Sequence, residues 1–99
     1  MIAVLGSFRL PAEAINQARP LMQAVIEATL AEPGCRAYSY AEDVAEPGLF
    51  RVTELWDSRE ALSAHFASPH MKAWAEQRAA LGFHDRRIVA HEIGAAEDL

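Results

Sequence analysis

Apolar positions along this chain follow two spacings, and the switches between them lay out its elements. From Ile2 to Arg9 the period is two: Ile2, Val4, Gly6 and Phe8 share one face, and Ala3, Leu5, Ser7 and Arg9 the other. That pattern predicts a half-buried strand. Pro11 ends it and suits the first turn of a helix. From Ala12 to about Glu32 the spacing becomes three and four, with Ile15, Ala18, Met22, Val25, Ile26 and Thr29 on one stripe. Pro20 conflicts with that helix. It removes a ladder hydrogen bond and crowds the Asn16 carbonyl, a cost of ~3 kcal/mol in a helix interior. A kink or a short break is expected there. Pro33 and Gly34 stop the helix.

Cys35 to Glu42 alternates again, with Arg36, Tyr38 and Tyr40 on one face. A polar turn from Asp43 to Gly48 leads to a third strand, Leu49 to Trp56, where Phe50, Val52, Glu54 and Trp56 share a face. Asp57 is placed to cap the next helix, with Glu60 completing a capping box. That helix carries Ala61, Leu62, His65 and Phe66. It breaks at Ser68-Pro69, a cap followed by a first-turn proline. A second helix then runs through Met71, Trp74, Ala75, Arg78 and Leu81 to Gly82. Phe83 to Ile93 reads as a last strand centred on Ile88 and Val89, and Gly94 to Leu99 as a frayed tail. The order strand, helix, strand, strand, helix pair, strand is the βαββαβ unit of a ferredoxin-like α+β sandwich, an antiparallel sheet with helices on one face. Residues 1–99 are expected to form one such domain. The other sheet face is left open, and a two-fold homodimer with the sheets facing each other would cover it.

Composition narrows the function without naming it. A chain of 99 residues is small enough for a dimer to help its stability, and 52% hydrophobic content points the same way. A net charge of −5 argues against nucleic acid as a partner, because a phosphate backbone needs a basic patch. No run of Lys and Arg suits an anionic membrane, and no stretch approaches the ~20 apolar residues of a membrane span. The first residues, MIAVLGSFRLPAE, lack a basic leader and meet Arg9 and Pro11 early, so they read as a strand and not a signal peptide. Cys35 is the only cysteine, which excludes an internal disulfide. A cytoplasmic protein is expected.

The stretch from Glu54 to Trp74 concentrates the chemistry, holding both tryptophans and two of the four histidines. Histidine can take or give a proton near neutral pH. His65, beside Leu62 and Phe66, is either such a group or a partly buried histidine bonded to a backbone carbonyl. His70, opening the next helix, is either a site residue or a surface one. The two are five residues apart with a proline between, so they are not expected to share a face or to form a metal-binding pair. Glu54 on an apolar strand face needs a partner: a histidine, a tyrosine, or Arg36 or Arg51 across strands. Trp56 offers a flat wall and one N–H, or packs in the core. Tyr38 and Tyr40 point into a pocket or a dimer seam. Cys35 has no base near it in sequence and reads as a buried thiol. Without a glycine-rich phosphate loop, a GxSxG or a dinucleotide fingerprint, a nucleotide cofactor has no support.

Several of these residues form a familiar series: Glu32-Pro33-Gly34-Cys35 followed by Tyr38, then Glu54-Leu55-Trp56, then Ser58-Arg59-Glu60-Ala61-Leu62 with His65, then Ser68-Pro69-His70. The series resembles the antibiotic biosynthesis monooxygenase superfamily, and within it the small quinol-monooxygenase-like branch. The resemblance runs through almost the whole chain. It implies a dimeric α+β barrel with one pocket per subunit, between sheet and helices. It also implies oxidation of a small aromatic molecule, a phenol, hydroquinone or anthrone, by dioxygen with no metal, flavin or other cofactor. On that reading Trp56 lines the pocket and His65 orients or deprotonates the substrate hydroxyl. Glu54, Tyr40, Tyr38, His70 and Phe66 are the expected substrate contacts, and no metal site is expected. Haem-degrading relatives use a histidine where this chain has Ala75 and an asparagine where it has Ser7, which counts against haem. Two alternatives stand beside the oxygenase: a non-catalytic ligand-binding or stress-response dimer, and an isomerase-like member. A pocket with His65 and Trp56 side by side favours the oxygenase. A filled core with His65 facing solvent favours the binding protein, and an anion bound by Arg36 or Arg51 in the pocket favours the isomerase.

Overall fold

A computed structural model describes residues 1–99. Its strands are β1 (Ile2–Arg9), β2 (Cys35–Glu42), β3 (Leu49–Trp56) and β4 (His84–Glu92). Its helices are α1 (Ile15–Leu30), α2 (Arg59–Phe66) and α3 (Pro69–Ala80), with a 3-10 turn at Ala12–Ala14 before α1. The four strands form one antiparallel sheet in the order β2-β3-β1-β4. This is the ferredoxin-like α+β arrangement that the order of periods predicts. No helix is long and apolar enough to cross a membrane.

Alternation decides which side chains reach the helices. Ile2, Val4 and Phe8 of β1 are buried, as are Phe50, Val52, Glu54 and Trp56 of β3, whereas Leu5 on the open face is 51% exposed. α1 buries Ala18, Met22, Val25 and Thr29, most of the stripe read from the sequence. The Thr29 hydroxyl donates to the Val25 carbonyl at 2.6 Å, so its burial leaves no unpaired group. Two apolar clusters result. One gathers Phe8, Met22, Val25, Phe50, Met71 and Trp74 between α1, α3 and the sheet. The other gathers Ile2, Val4, Tyr38, Trp56 and Leu62 at the α2 end.

Some details depart from the sequence reading. α1 starts late, after the 3-10 turn, and runs through Pro20 without a break. Pro20 and Asn16 are both exposed, so the carbonyl freed by the proline is on the wet side of the helix. Ser58, not Asp57, caps α2 by accepting from the Ala61 N–H at 3.1 Å. Asp57 is paired instead with Arg36 of β2. β4 is shorter than expected and carries a bulge: between the pairs Arg9–His84 and Ser7–Arg87, both Asp85 and Arg86 stand opposite Phe8. Asp85 adopts φ 52°, a left-handed conformation that aspartate tolerates. At the end of α3, Gly82 at φ 83° closes the helix, with the Phe83 N–H bonded to the Arg78 carbonyl and the Gly82 N–H to that of Ala79. This turn folds Phe83 back beside Arg78.

The sheet is tightest at Gly6. A Cβ there would lie 2.7 Å from Ile88 Cα and 2.8 Å from Ile88 Cδ1 on β4. We expect Gly6→Ala to cost about 1–3 kcal/mol in urea unfolding, the usual range for overpacking. Ser7→Ala should cost under ~0.5 kcal/mol. An unchanged midpoint for Gly6→Ala would contradict the close β1–β4 approach.

Candidate functional site

Sheet and helices enclose a cavity where the two clusters meet. The sheet contributes Phe8, Tyr38, Tyr40, Glu54, Arg86 and Ile88 to its wall; α2 contributes Phe66, and α3 contributes Met71, Trp74 and Arg78. Its free volume is ≈ 20 Å³, room for about one water. A ring-sized ligand therefore enters only if the wall moves. Phe66, 45% exposed at the end of α2, and exposed Arg86 are the parts least held by packing.

The polar groups in this wall are few, and some of them are paired. Tyr38 Oη and Tyr40 Oη lie 2.6 Å apart. Burial pushes both phenols up, Tyr40 to about 12, so both stay protonated at neutral pH. Glu54 accepts the Trp56 indole N–H on its Oε1 at 2.9 Å. Burial raises the Glu54 carboxyl above the ordinary carboxylate range, while the Trp56 N–H and the Arg86 charge pull it part of the way back. Its partner is thus neither a histidine, a tyrosine nor a cross-strand arginine, but the tryptophan two residues along the same strand face. Arg36 is engaged by Asp57 and Arg51 by Asp43, outside the cavity, so neither is placed to hold an anion in it. Trp74 Nε1 is buried without a hydrogen bond of full geometry, though its N–H acts on the Tyr40 hydroxyl closely enough to offset part of the rise of that phenol. The Cys35 thiol is raised by burial and by the nearby Glu32 charge, as suits an inert thiol.

His65 is wholly buried, with ring centroids 4.8 Å from Trp56 and 5.3 Å from Tyr38. His65 and Trp56 are therefore side by side, and His65 does not face solvent. Neither lines the cavity: they form a layer that packs against the wall residues Tyr38 and Phe66. His65 Nδ1 lies 2.7 Å from Glu32 Oε2, and His70 Nε2 lies 2.9 Å from the same oxygen. Each imidazole donates to the carboxylate, which fixes neutral His65 as the Nδ1–H tautomer and leaves Nε2 as its basic nitrogen. That Nε2 is buried without a partner. Burial depresses the His65 imidazolium, and Glu32 opposes the shift. The sequence reading separated His65 from His70 because of Ser68-Pro69. The same break redirects α3 so that their ring centroids are 6.0 Å apart.

Glu32, His65 and His70 offer one ligand atom each within 4.8 Å of one another, a set that could hold a metal ion. Ligation through His65 Nδ1 would put the proton on Nε2, where no acceptor is present. Metal-bound histidines normally donate that second N–H. The three groups fit a hydrogen-bonded clamp better than a metal centre.

Residues 1–77 match the family model described as antibiotic biosynthesis monooxygenase. The chain is a member of the antibiotic biosynthesis monooxygenase family. A protein of Mycobacterium tuberculosis named "Putative monooxygenase Rv0793" is 39% identical over 70% of this chain and 67% of its own length. The uncharacterized Synechocystis protein sll1783 is 31% identical over 99% of this chain and 67% of its own length. A Deinococcus radiodurans crystal structure, described as that of a "putative antibiotic biosynthesis monooxygenase", superposes with a TM-score of 0.94 at 32% identity, covering 100% of this chain and 98% of that one. The family and these relatives support a monooxygenase-type function.

The structure brings Tyr38, Tyr40, Glu54 and Phe66 to the cavity and sets Trp56, His65 and His70 outside its wall. It adds four residues the sequence reading did not single out as a site: Glu32, Trp74, Arg78 and Arg86. One signal was visible, an arginine at 78 on the apolar stripe of Met71, Trp74 and Leu81. Because His65 is depressed in the fold, its stabilising contribution is complete above the ordinary value of 6.5 and is lost as pH falls through the depressed value. We expect the stability difference between wild type and His65→Gln to be largest above about pH 7 and to shrink as the pH falls below 6.5. A difference independent of pH would contradict a buried neutral His65.

Proposed function

We propose that this family member is an oxygenase of small phenols and hydroquinones, acting in the cavity between sheet and helices with dioxygen and no metal or flavin. The observation that carries the reading is the wall itself: one carboxylate, two phenols and an indole N–H without a hydrogen bond of full geometry, set among aromatic side chains. A substrate oxygen can pair with these donors and acceptors, and its ring with the aromatic walls.

Glu54 is the base. Trp56 occupies its Oε1, and Oε2 takes the substrate hydroxyl proton. The raised proton affinity of Glu54 narrows the gap to a phenol, and the charges of Arg78 and Arg86 favour the phenolate. The electron-rich phenolate passes one electron to dioxygen, and the aryloxyl radical and superoxide combine at a ring carbon. The peroxide takes the proton back from Glu54. Its O–O bond then breaks as the ring C–H proton leaves, the departing hydroxide and that proton together forming water, and a new carbonyl remains. A phenol and dioxygen thus give a quinone and water, with every electron drawn from the substrate. His65, held by Glu32, braces Tyr38 and Phe66, while Trp56 orients Glu54. The proton transfer expected of His65 falls to Glu54 on this reading.

The reading includes a homodimer in which the open sheet faces meet. Half-exposed Leu5 pairs across strands with Thr53 and Val89, next to Ala3 with Leu55, and gives that face an apolar centre. A second copy matches it by two-fold symmetry.

With metal-free protein and a panel of naphtho- and benzohydroquinones, we expect oxygen uptake above a protein-free blank. Glu54→Gln should lower it about 100-fold or more, with little change in Tm. Uptake at the blank level across the panel would turn the reading to a ligand-binding protein. Full activity in Glu54→Gln would return the proton transfer to His65. In sedimentation, wild type should run as a dimer and Leu5→Glu as a monomer; a monomeric wild type would contradict the assembly.

A further inference from the structure

Outside the cavity, α3 and β4 frame a second hollow of ≈ 190 Å³. Lys72, Arg78 and Arg86 line it together with Phe66, Met71 and Ala75. No carboxylate lines it, although the whole chain carries a net charge of −5. Arg9, Arg36 and Arg51 elsewhere are each paired with an acidic side chain. Lys72, Arg78 and Arg86 take part in none of the side-chain ion pairs. Arg78 is held by stacking instead: its Cζ lies 4.5 Å from the Phe83 ring centre and 5.9 Å from that of Trp74. Stacking fixes the guanidinium plane and leaves its N–H donors unspent. Arg78 and Arg86 repel one another, and the repulsion adds to burial in disfavouring the Arg78 charge. An anion between them would relieve both effects.

The hollow and the cavity share Phe66, Met71, Arg78 and Arg86, the side chains that stand between them. We propose that the hollow is the mouth of the cavity and an anion subsite, and that the substrate is an aromatic hydroxy acid. Its carboxylate rests on Lys72, Arg78 and Arg86, and its hydroxylated ring passes Phe66 to reach Glu54. The placement of the ring rests on the oxygenase reading; the anion rests on the three cations alone. A carboxylate accepts two parallel N–H bonds from a guanidinium, which a neutral phenol cannot do.

Binding without turnover tests the proposal, so a failure of the oxygen chemistry leaves the result readable. Under argon, calorimetric titrations would compare 6-hydroxy-2-naphthoate, its neutral amide and inorganic phosphate. We expect the acid to bind at least about tenfold more tightly than the amide, and phosphate more weakly than the acid. The advantage of the acid should shrink in salt, and should fall several-fold in the double variant Lys72→Gln, Arg86→Gln, which leaves Arg78 as the one cation and whose two positions are exposed and leave the core intact. Equal affinity for acid and amide, an advantage undiminished in the double variant, or no binding of the acid would overturn the subsite. Phosphate binding as tightly as the acid would overturn the assignment of an aromatic acid. Tight binding of the acid with no oxygen uptake would sustain the subsite and remove the oxygenase reading.

Discussion

One carboxylate oxygen, Glu32 Oε2, sets where the helical layer lies on the sheet. Glu32 follows α1, His65 belongs to α2 and His70 opens α3, and both imidazoles bond to that single atom. A largely buried carboxylate is costly unless donors meet it, and each charge-assisted bond is worth about 1.5–3 kcal/mol. The two histidines meet that cost only when α2 and α3 are both docked. His65 then fills the space beside Trp56 and Tyr38, and Phe66 and Trp74 are brought to the cavity wall. The clamp is structural in what it touches, yet the shape of the cavity follows from it.

Within that frame the sheet side supplies reach and the helix side supplies access. Tyr38, Tyr40 and Glu54 sit on strands, where backbone pairing holds them. Phe66 sits at the break between α2 and α3, and Arg86 beside the β4 bulge, where the ladder is interrupted. A narrow cavity walled by aromatic side chains suits chemistry in which a reactive intermediate must be kept from water. The same division places Lys72, Arg78 and Arg86 at the proposed mouth and the raised carboxyl of Glu54 inside.

Much of this was legible in the sequence, and the exceptions share a cause. β1, β2 and β3 begin and end where the alternation does, but a register shift between Cys35 and Ala37 puts Cys35 opposite Trp56 and leaves Arg36 exposed, off the face of Tyr38 and Tyr40. β4 has only Ile88 and Val89 partly buried, and its bulge shifts the alternation, so its centre was readable and its start was not. Asp57 and Ser58 both suit a helix cap, and Arg36, 21 residues from Asp57, decides between them. Pro20 looked disruptive because its cost was taken at the rate of a buried helix interior, whereas it lies opposite the apolar stripe, on the wet side of the helix. In the site, strand parity was enough to bring Tyr38, Tyr40 and Glu54 to one face. The clamp was not readable, because Glu32 meets its histidines across 33 and 38 residues. No local pattern carries contacts of that length.

The most direct test of the central claim, that substrate enters this cavity, is an NMR titration of the two indole N–H signals with a dihydroxynaphthalene under argon. Trp56 already donates to Glu54, whereas Trp74 Nε1–H is buried without a hydrogen bond of full geometry. Occupancy should move the Trp74 signal strongly downfield as it gains an acceptor, with a smaller shift at Trp56 through Glu54. Saturable binding that leaves both indole signals in place would put the ligand elsewhere and contradict the account.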